Sequence, residues 1–263
     1  MRMESLNHRQ LVAAAPAIGT KEPHKSRSKR YVLVNSMKVV DTLQEIGYMP
    51  VEAQQDHHQK RDPHFIRHAI TFRHRDWVRD VTKKTEGVPQ LLFMNSHNGM
   101  RKASLRMGYY RFFCLNGLVV GTDLAHASVR HIGHLAEEVI GATMTLAENV
   151  GPLMAQIDSW RLIKLTAKQQ LNFARHAAVL RWGEDSAQMY GPGVLLESRR
   201  KEDEGNSLWR VMNRVQENAM KGGFNGANSD GRKVRARSLH GISQATHFNA
   251  ELWSYTASVA RGL

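Results

Sequence analysis

QLLFMNSHNGMRKASLRMGYYRFFCLNGLVVG, residues 90–121, is the densest strand signal in the chain. Two apolar runs flank Asn98-Gly99, the dipeptide that best tolerates the two positive φ angles of a type I′ hairpin. A two-residue loop at that point pairs Leu92 with Leu105 and Met94 with Ala103 on one face. The other face then carries Asn95 opposite Lys102, Phe93 opposite Ser104 and Leu91 opposite Arg106. Because strand side chains alternate with period two, one face is core and the other is polar, basic and partly aromatic.

The neighbouring segments repeat this division. In HFIRHAITFRHR, residues 64–75, Ile66, Ile70 and Phe72 fall on one side of a strand, and Arg67, Thr71 and Arg73 on the other. Residues 60–111 hold twelve Lys/Arg against four Asp/Glu, so several strands are expected to share one basic surface. Residues 109–115 are apolar on both faces, which makes Arg111 the exception; a buried guanidinium must be paired or face a ligand. Asn116-Gly117 closes that strand with a second turn. Upstream, YVLV (31–34) reads as a strand, Asn35 or Ser36 caps a helix to about residue 46, Gly47 stops it, and residues 48–54 form another strand.

Beyond residue 123 the apolar spacing becomes helical, interrupted at Gly151-Pro152. Thr166 and Gln169 make a capping box for a helix to Trp182, residues 183–205 read as a charged loop, and further helices cover residues 207–220 and 242–259. Residues 224–237 are a polar, basic loop. The expected fold is α+β: an antiparallel sheet with a central Asn-Gly hairpin, covered on one face by several helices. Residues 1–30 are expected to be a flexible basic arm. Residues 31–263 are expected to be a single domain, sheet-rich to residue 121 and helix-rich from 122.

The 263-residue chain carries 37 Lys/Arg against 24 Asp/Glu, a net charge of +13. Such an excess draws polyanions and makes their binding salt-dependent, although an acidic protein partner is also compatible with it. No segment approaches the roughly 18 apolar residues of a membrane span. The N-terminal stretch reads poorly as a signal peptide, and one cysteine, Cys114, excludes an internal disulfide and fits a reducing cytosol.

No reaction is legible. Phosphate-cradling and dinucleotide-binding glycine patterns are absent, and Cys114 has apolar neighbours rather than electropositive ones. His57-His58 falls in a polar loop, and His131, His134 and Glu138 share a helical face without a fourth ligand. The expectation is therefore no enzyme, no cofactor and no metal. A set of amides and one carboxylate (Asn95, Asn116, Asn213, Gln216, Glu217, Asn218) is expected to form a polar network, structural or ligand-facing.

Three phrases together carry a family resemblance: NSHNG at 95–99, RFFCLNG at 111–117, and NRVQEN at 213–218 followed by Gly222-Gly223. Over residues 31–260 the chain resembles the DUF932 family, the phage/plasmid-like proteins of unknown function. That resemblance implies a mobile-element origin and the cytoplasm of a bacterial host, and it carries no catalytic residues. The element order is also similar to that of Rad52/RecT-like single-strand annealing proteins, which bind DNA through backbone charge and stacked aromatics. The leading expectation is a single-stranded DNA-binding protein of replication, recombination or transfer. Its contacts would come from Arg67, Arg73, Lys102, Arg106, Tyr110 and Arg111 on the sheet and from Arg232, Lys233, Arg235 and Arg237 in the loop, with Phe93 as a second stacking face. The alternative is a non-enzymatic inhibitor that contacts a host defence protein. Either form is compatible with a homo-oligomer.

Overall fold

The expected hairpin lies in the middle of a six-stranded antiparallel sheet. The computed structural model describes residues 5–26, 33–57, 61–79, 86–98, 102–111, 118–119, 126–129 and 135–263. Contacts group the chain into two compact units, Met1–Val150 and Gly151–Leu263, with the boundary further along than the expected change from sheet to helix. Together they make an α+β protein.

In the first unit, β1 (Tyr48–Gln55), β2 (His68–His74), β3 (Gly87–Asn95) and β4 (Ala103–Arg111) pair in sequence order. The short strands β5 (Leu118–Val119) and β6 (His126–Val129) both pair with β4. Pro50, which has no amide hydrogen for a ladder, is tolerated because β1 is an edge strand.

The hairpin register differs by one residue from that of a two-residue Asn98-Gly99 turn. Phe93 pairs with Leu105, Leu92 with Arg106 and Met94 with Ser104. Residues 99–101 lie outside the described residues. A one-residue slip exchanges the two faces of a strand. Phe93 and Leu91 therefore join Ile70, Phe72, Leu105, Met107 and Tyr109 on one side, all of them at most 1% exposed. Leu92 and Met94, expected in the core, lie instead on the side of Arg106. Burial of the larger side chains, each stabilising by about 1.5–3 kcal/mol, sets the register more strongly than the turn dipeptide does.

Helices α2 (Ser36–Glu45) and α4 (Leu135–Glu148) cover the face that holds Phe93. At the start of α2, the Ser36 hydroxyl lies 2.7 Å from His68 Nε2 and accepts from Asn95 Nδ2 at 3.0 Å, which ties the helix to β2 and β3. Asn35 caps α2, and Gly47, at φ +92°, ends it as expected.

The N-terminal region and the approach to β2 differ from the pattern expected of the sequence. Within the expected flexible arm, Asn7 and Gln10 form a reciprocal capping box that starts α1 (His8–Ala14), followed by a 3-10 turn at Pro16–Gly19. Leu11, Ala15, Ala17 and Ile18 are fully buried, so this segment belongs to the core. Leu33 and Val34 form no strand; the rest of YVLV, like Cys114 and the Asn116-Gly117 turn, lies outside the described residues. The expected strand from residue 64 starts only at His68, because Asp62 and Pro63 begin a 3-10 turn first. A short helix, α3 (Arg75–Arg79), follows β2.

The second unit consists of α5 (Val150–Leu162), α6 (Ala167–Trp182), the short α7 (Glu184–Ala187), α8 (Leu208–Lys221), α9 (Ile242–Arg261) and a small hairpin, β7 (Asn225–Ala227) with β8 (Lys233–Arg235). Its core centres on Trp160, Trp209 and Trp253, with the Trp160 and Trp253 rings 4.5 Å apart. The capping box at Thr166 and Gln169 is present as the sequence requires. Replacing Thr166 by Ala is expected to lower stability by about 1 kcal/mol, read as a shift in denaturant midpoint; an unchanged midpoint would show that Leu165 packing alone holds the helix start.

Candidate nucleic-acid interface

The sheet brings together part of the expected basic surface. Arg73 on β2 and Arg106 and Tyr110 on β4 share the face opposite α2, and the Arg73 guanidinium carbon sits 3.5 Å from the centre of the Tyr110 ring. Burial pulls the ionisation of both arginines below the ordinary guanidinium value; for Arg73, Tyr110 and Glu52 oppose that shift. Burial raises the Glu52 carboxyl, with Arg73 pulling the other way. Thr71, Gln90, Leu92 and Met94 are buried on this same face, so Arg73 and Arg106 are half-enclosed rather than spread on open surface. Lys102 is exposed where β4 begins, and Arg67 is half-buried just before β2.

Arg111 is placed apart from these. It lies on the helix-covered side of β4, 2% exposed and held by interactions within the chain. Asn95 is likewise internal: its amide donates to Val34 O at 2.8 Å and to Ser36. Asn116 lies outside the described residues.

In the second unit the expected polar residues of α8, Asn213, Gln216, Glu217 and Asn218, are all buried. The Glu217 carboxylate accepts from Arg200 and, at 2.6 Å, from Lys221 Nζ. Arg199 Nε donates to Asn218 Oδ1 at 2.5 Å, and Asn218 Nδ2 donates to the carbonyls of Leu195 and Glu197. Arg214 donates to the carbonyls of Asp203 and Gly205. Gln216 donates to Asn249 on α9 at 2.9 Å, and Asn213 turns back to Trp209 O. Segment 195–205, whose charge suggests a solvated loop, is thereby bound along α8, and Asp203 is fully buried. The two cations on Glu217 offset the cost of burying its carboxylate.

The loop expected at 224–237 is the β7–β8 hairpin. Arg232, Lys233, Arg235 and Arg237 all stand exposed along it, with Asp230 at its turn. Where this strand passes the end of α8 there is an open cleft of about 700 Å³, walled by Lys221, Arg235, Arg237, Ser238 and His240. Gly222 permits the approach: at φ +57°, a Cβ there would lie 2.7 Å from Ala236 O. Ser238 Oγ is 2.5 Å from His240 Nε2, and Arg181 Nη2 donates to Arg237 O at 3.0 Å, fixing the strand. Lys221, Ser238 and His240 were not among the expected site residues. Lys221 was legible only as the residue one helical turn after Glu217, and nothing local marks the other two.

Among the described residues no group of three or more His, Cys, Asp or Glu side chains is placed to hold a metal ion, and His131 and His134 fall outside them. No helix among the described residues is long and apolar enough to cross a membrane.

No solved structure matches the chain. It is 30% identical to the UPF0380 protein YfjQ of Escherichia coli (strain K12) over 252 residues, 96% of this chain and 90% of that protein. It is also 30% identical to the UPF0380 protein YafZ of the same strain over 255 residues, again 96% of this chain and 90% of that one. The model of the family described as "Domain of unknown function (DUF932)" matches residues 23–253, and the chain belongs to that family.

Proposed function

We infer that this is a nucleic-acid-binding protein that acts on single-stranded DNA in the replication, recombination or transfer of a mobile element. The observation that carries the reading is the exposed strip Arg232, Lys233, Arg235 and Arg237, four cations on one short hairpin beside a cleft with no carboxylate among its wall residues. Flexible phosphate backbones are bound by such strips through charge, without a need for deep base readout. The half-enclosed Arg73–Tyr110 pair on the sheet offers a cation and an aromatic ring in the first unit, and supports the reading only in a secondary way.

Binding of a single strand is expected to weaken linearly with log salt concentration. Replacing Arg232 and Lys233 together by Gln should reduce the magnitude of that slope by about 1.4, at roughly 0.7 for each single-strand phosphate no longer neutralised. Fluorescence anisotropy of a labelled strand over a salt series measures this. Binding that is absent, or independent of salt, rejects the reading.

A further inference from the structure

We propose that the cleft at the end of α8 is a pocket for a phosphate monoester carried by a nucleotide, either as the end of a nucleic-acid strand or as a free nucleotide. The proposal deepens the nucleic-acid reading, because two of its walls, Arg235 and Arg237, belong to the same basic strip.

Three features separate this place from the rest of the strip. The first is convergence: Lys221 arrives from α8, Arg235 from the end of β8, and Arg237, Ser238 and His240 from the segment that follows it, around about 700 Å³ of space. That space is open to solvent and large enough to admit a nucleotide-sized group. The second is the donor set. A monoester dianion presents three terminal oxygens and up to two charges, whereas an internal phosphodiester presents two and one. Two guanidiniums, an ammonium and a hydroxyl match the monoester, and the planar arginine fork suits phosphate in particular.

The third is the support behind Lys221. Its ammonium rests 2.6 Å from Glu217, yet Glu217 also holds Arg200. Lys221 can therefore turn to an anion in the cleft while the buried carboxylate keeps a cation, and its side chain, 44% exposed, is already partly in solvent. Ser238 and His240, hydrogen-bonded to each other, stand on the wall where a fourth contact to the phosphate would form.

The test uses the full-length chain and a short single strand labelled at its 3′ end and carrying either a 5′-hydroxyl or a 5′-phosphate, with a matching pair phosphorylated or not at the 3′ end. A phosphorylated end is expected to bind about tenfold tighter, the size of charge-assisted hydrogen bonds formed at low cost. Arg237→Gln, whose backbone carbonyl still receives Arg181, should abolish that preference without changing the melting temperature. Competition by a deoxynucleoside monophosphate, stronger than by the nucleoside, would assign the pocket to a free nucleotide and also support it. Equal affinity for both strands together with no competition overturns the pocket, and so does a preference that survives in Arg237→Gln. If the hydroxyl-ended strand still binds with a salt dependence that Arg232 and Lys233 control, the broader nucleic-acid reading stands even then. If no strand binds but the monophosphate does, that broader reading fails and the pocket remains.

Discussion

Replacing Glu217 by Gln is expected to destabilise the second unit by about 3 kcal/mol, the scale seen when one partner of a buried ion pair is removed. The side chain is 2% exposed and is the carboxylate between Arg200 and Lys221. An amide of similar volume fills the same space but withdraws the closer carboxylate charge from Arg200, whose side chain is only 17% exposed and keeps its 3.8 Å ion pair with Asp203. The loss should appear as a lower denaturant midpoint, with loosening of segment 195–205 visible as faster amide exchange. Lys221→Met provides the contrast. It leaves the Arg200–Glu217 pair intact and removes a half-exposed ammonium, so its cost should stay within about 1 kcal/mol. Equal effects of the two changes would show that the triad acts as packing rather than as charge balance.

Acid should unfold the first unit through His68. This ring is fully buried between α2 and the sheet, with Ser36 Oγ at 2.7 Å from Nε2, the Ile66 carbonyl at 3.3 Å from Nδ1, and the His97 ring centre 4.9 Å away. Burial pushes its ionisation down from 6.5 to about 3; a charge on His97 adds to that shift and Ile66 opposes it. The folded state therefore keeps the ring neutral while the unfolded chain takes up a proton below its ordinary value. Between those limits the unfolded state binds more protons, so stability is fully present above about pH 6.5 and is lost as pH falls towards about 3. The slope for this one group is about 1.4 kcal/mol per pH unit. Denaturation curves collected across this range should steepen in wild type and flatten in His68→Gln, which begins less stable at neutral pH. Parallel curves would assign the acid sensitivity to other groups.

Local rules reached a long way into this fold. The strand content around residues 90–111, the cap at Thr166, the stop at Gly47 and the apolar stripe of α8 each depend on residues close in sequence, so spacing and capping chemistry suffice to place them. The resemblance to DUF932 rests on short phrases of the same kind, and the family match over residues 23–253 agrees with it. The basic character of 232–237 was equally plain.

Other features depend on what packs against what. The dipeptide Asn98-Gly99 names a turn, but the register of β3 on β4 follows the burial of Phe93 and Leu91 under α2 and α4, and that reverses the sides assigned to β3. Arg111 already stands out in the sequence as a cation within an apolar run, and strand parity buries it while sending Arg106 to the half-enclosed face. The charged run at 197–204 looks solvated until Arg199 and Arg200 find Asn218 and Glu217 on α8, because a buried charge is offset only by partners distant in the chain. Composition and period thus determine the elements and the net field of +13, since both are sums over local residues. The cleft of Lys221, Arg237 and His240 exists only where β8 crosses the end of α8, and that crossing is decided by tertiary packing.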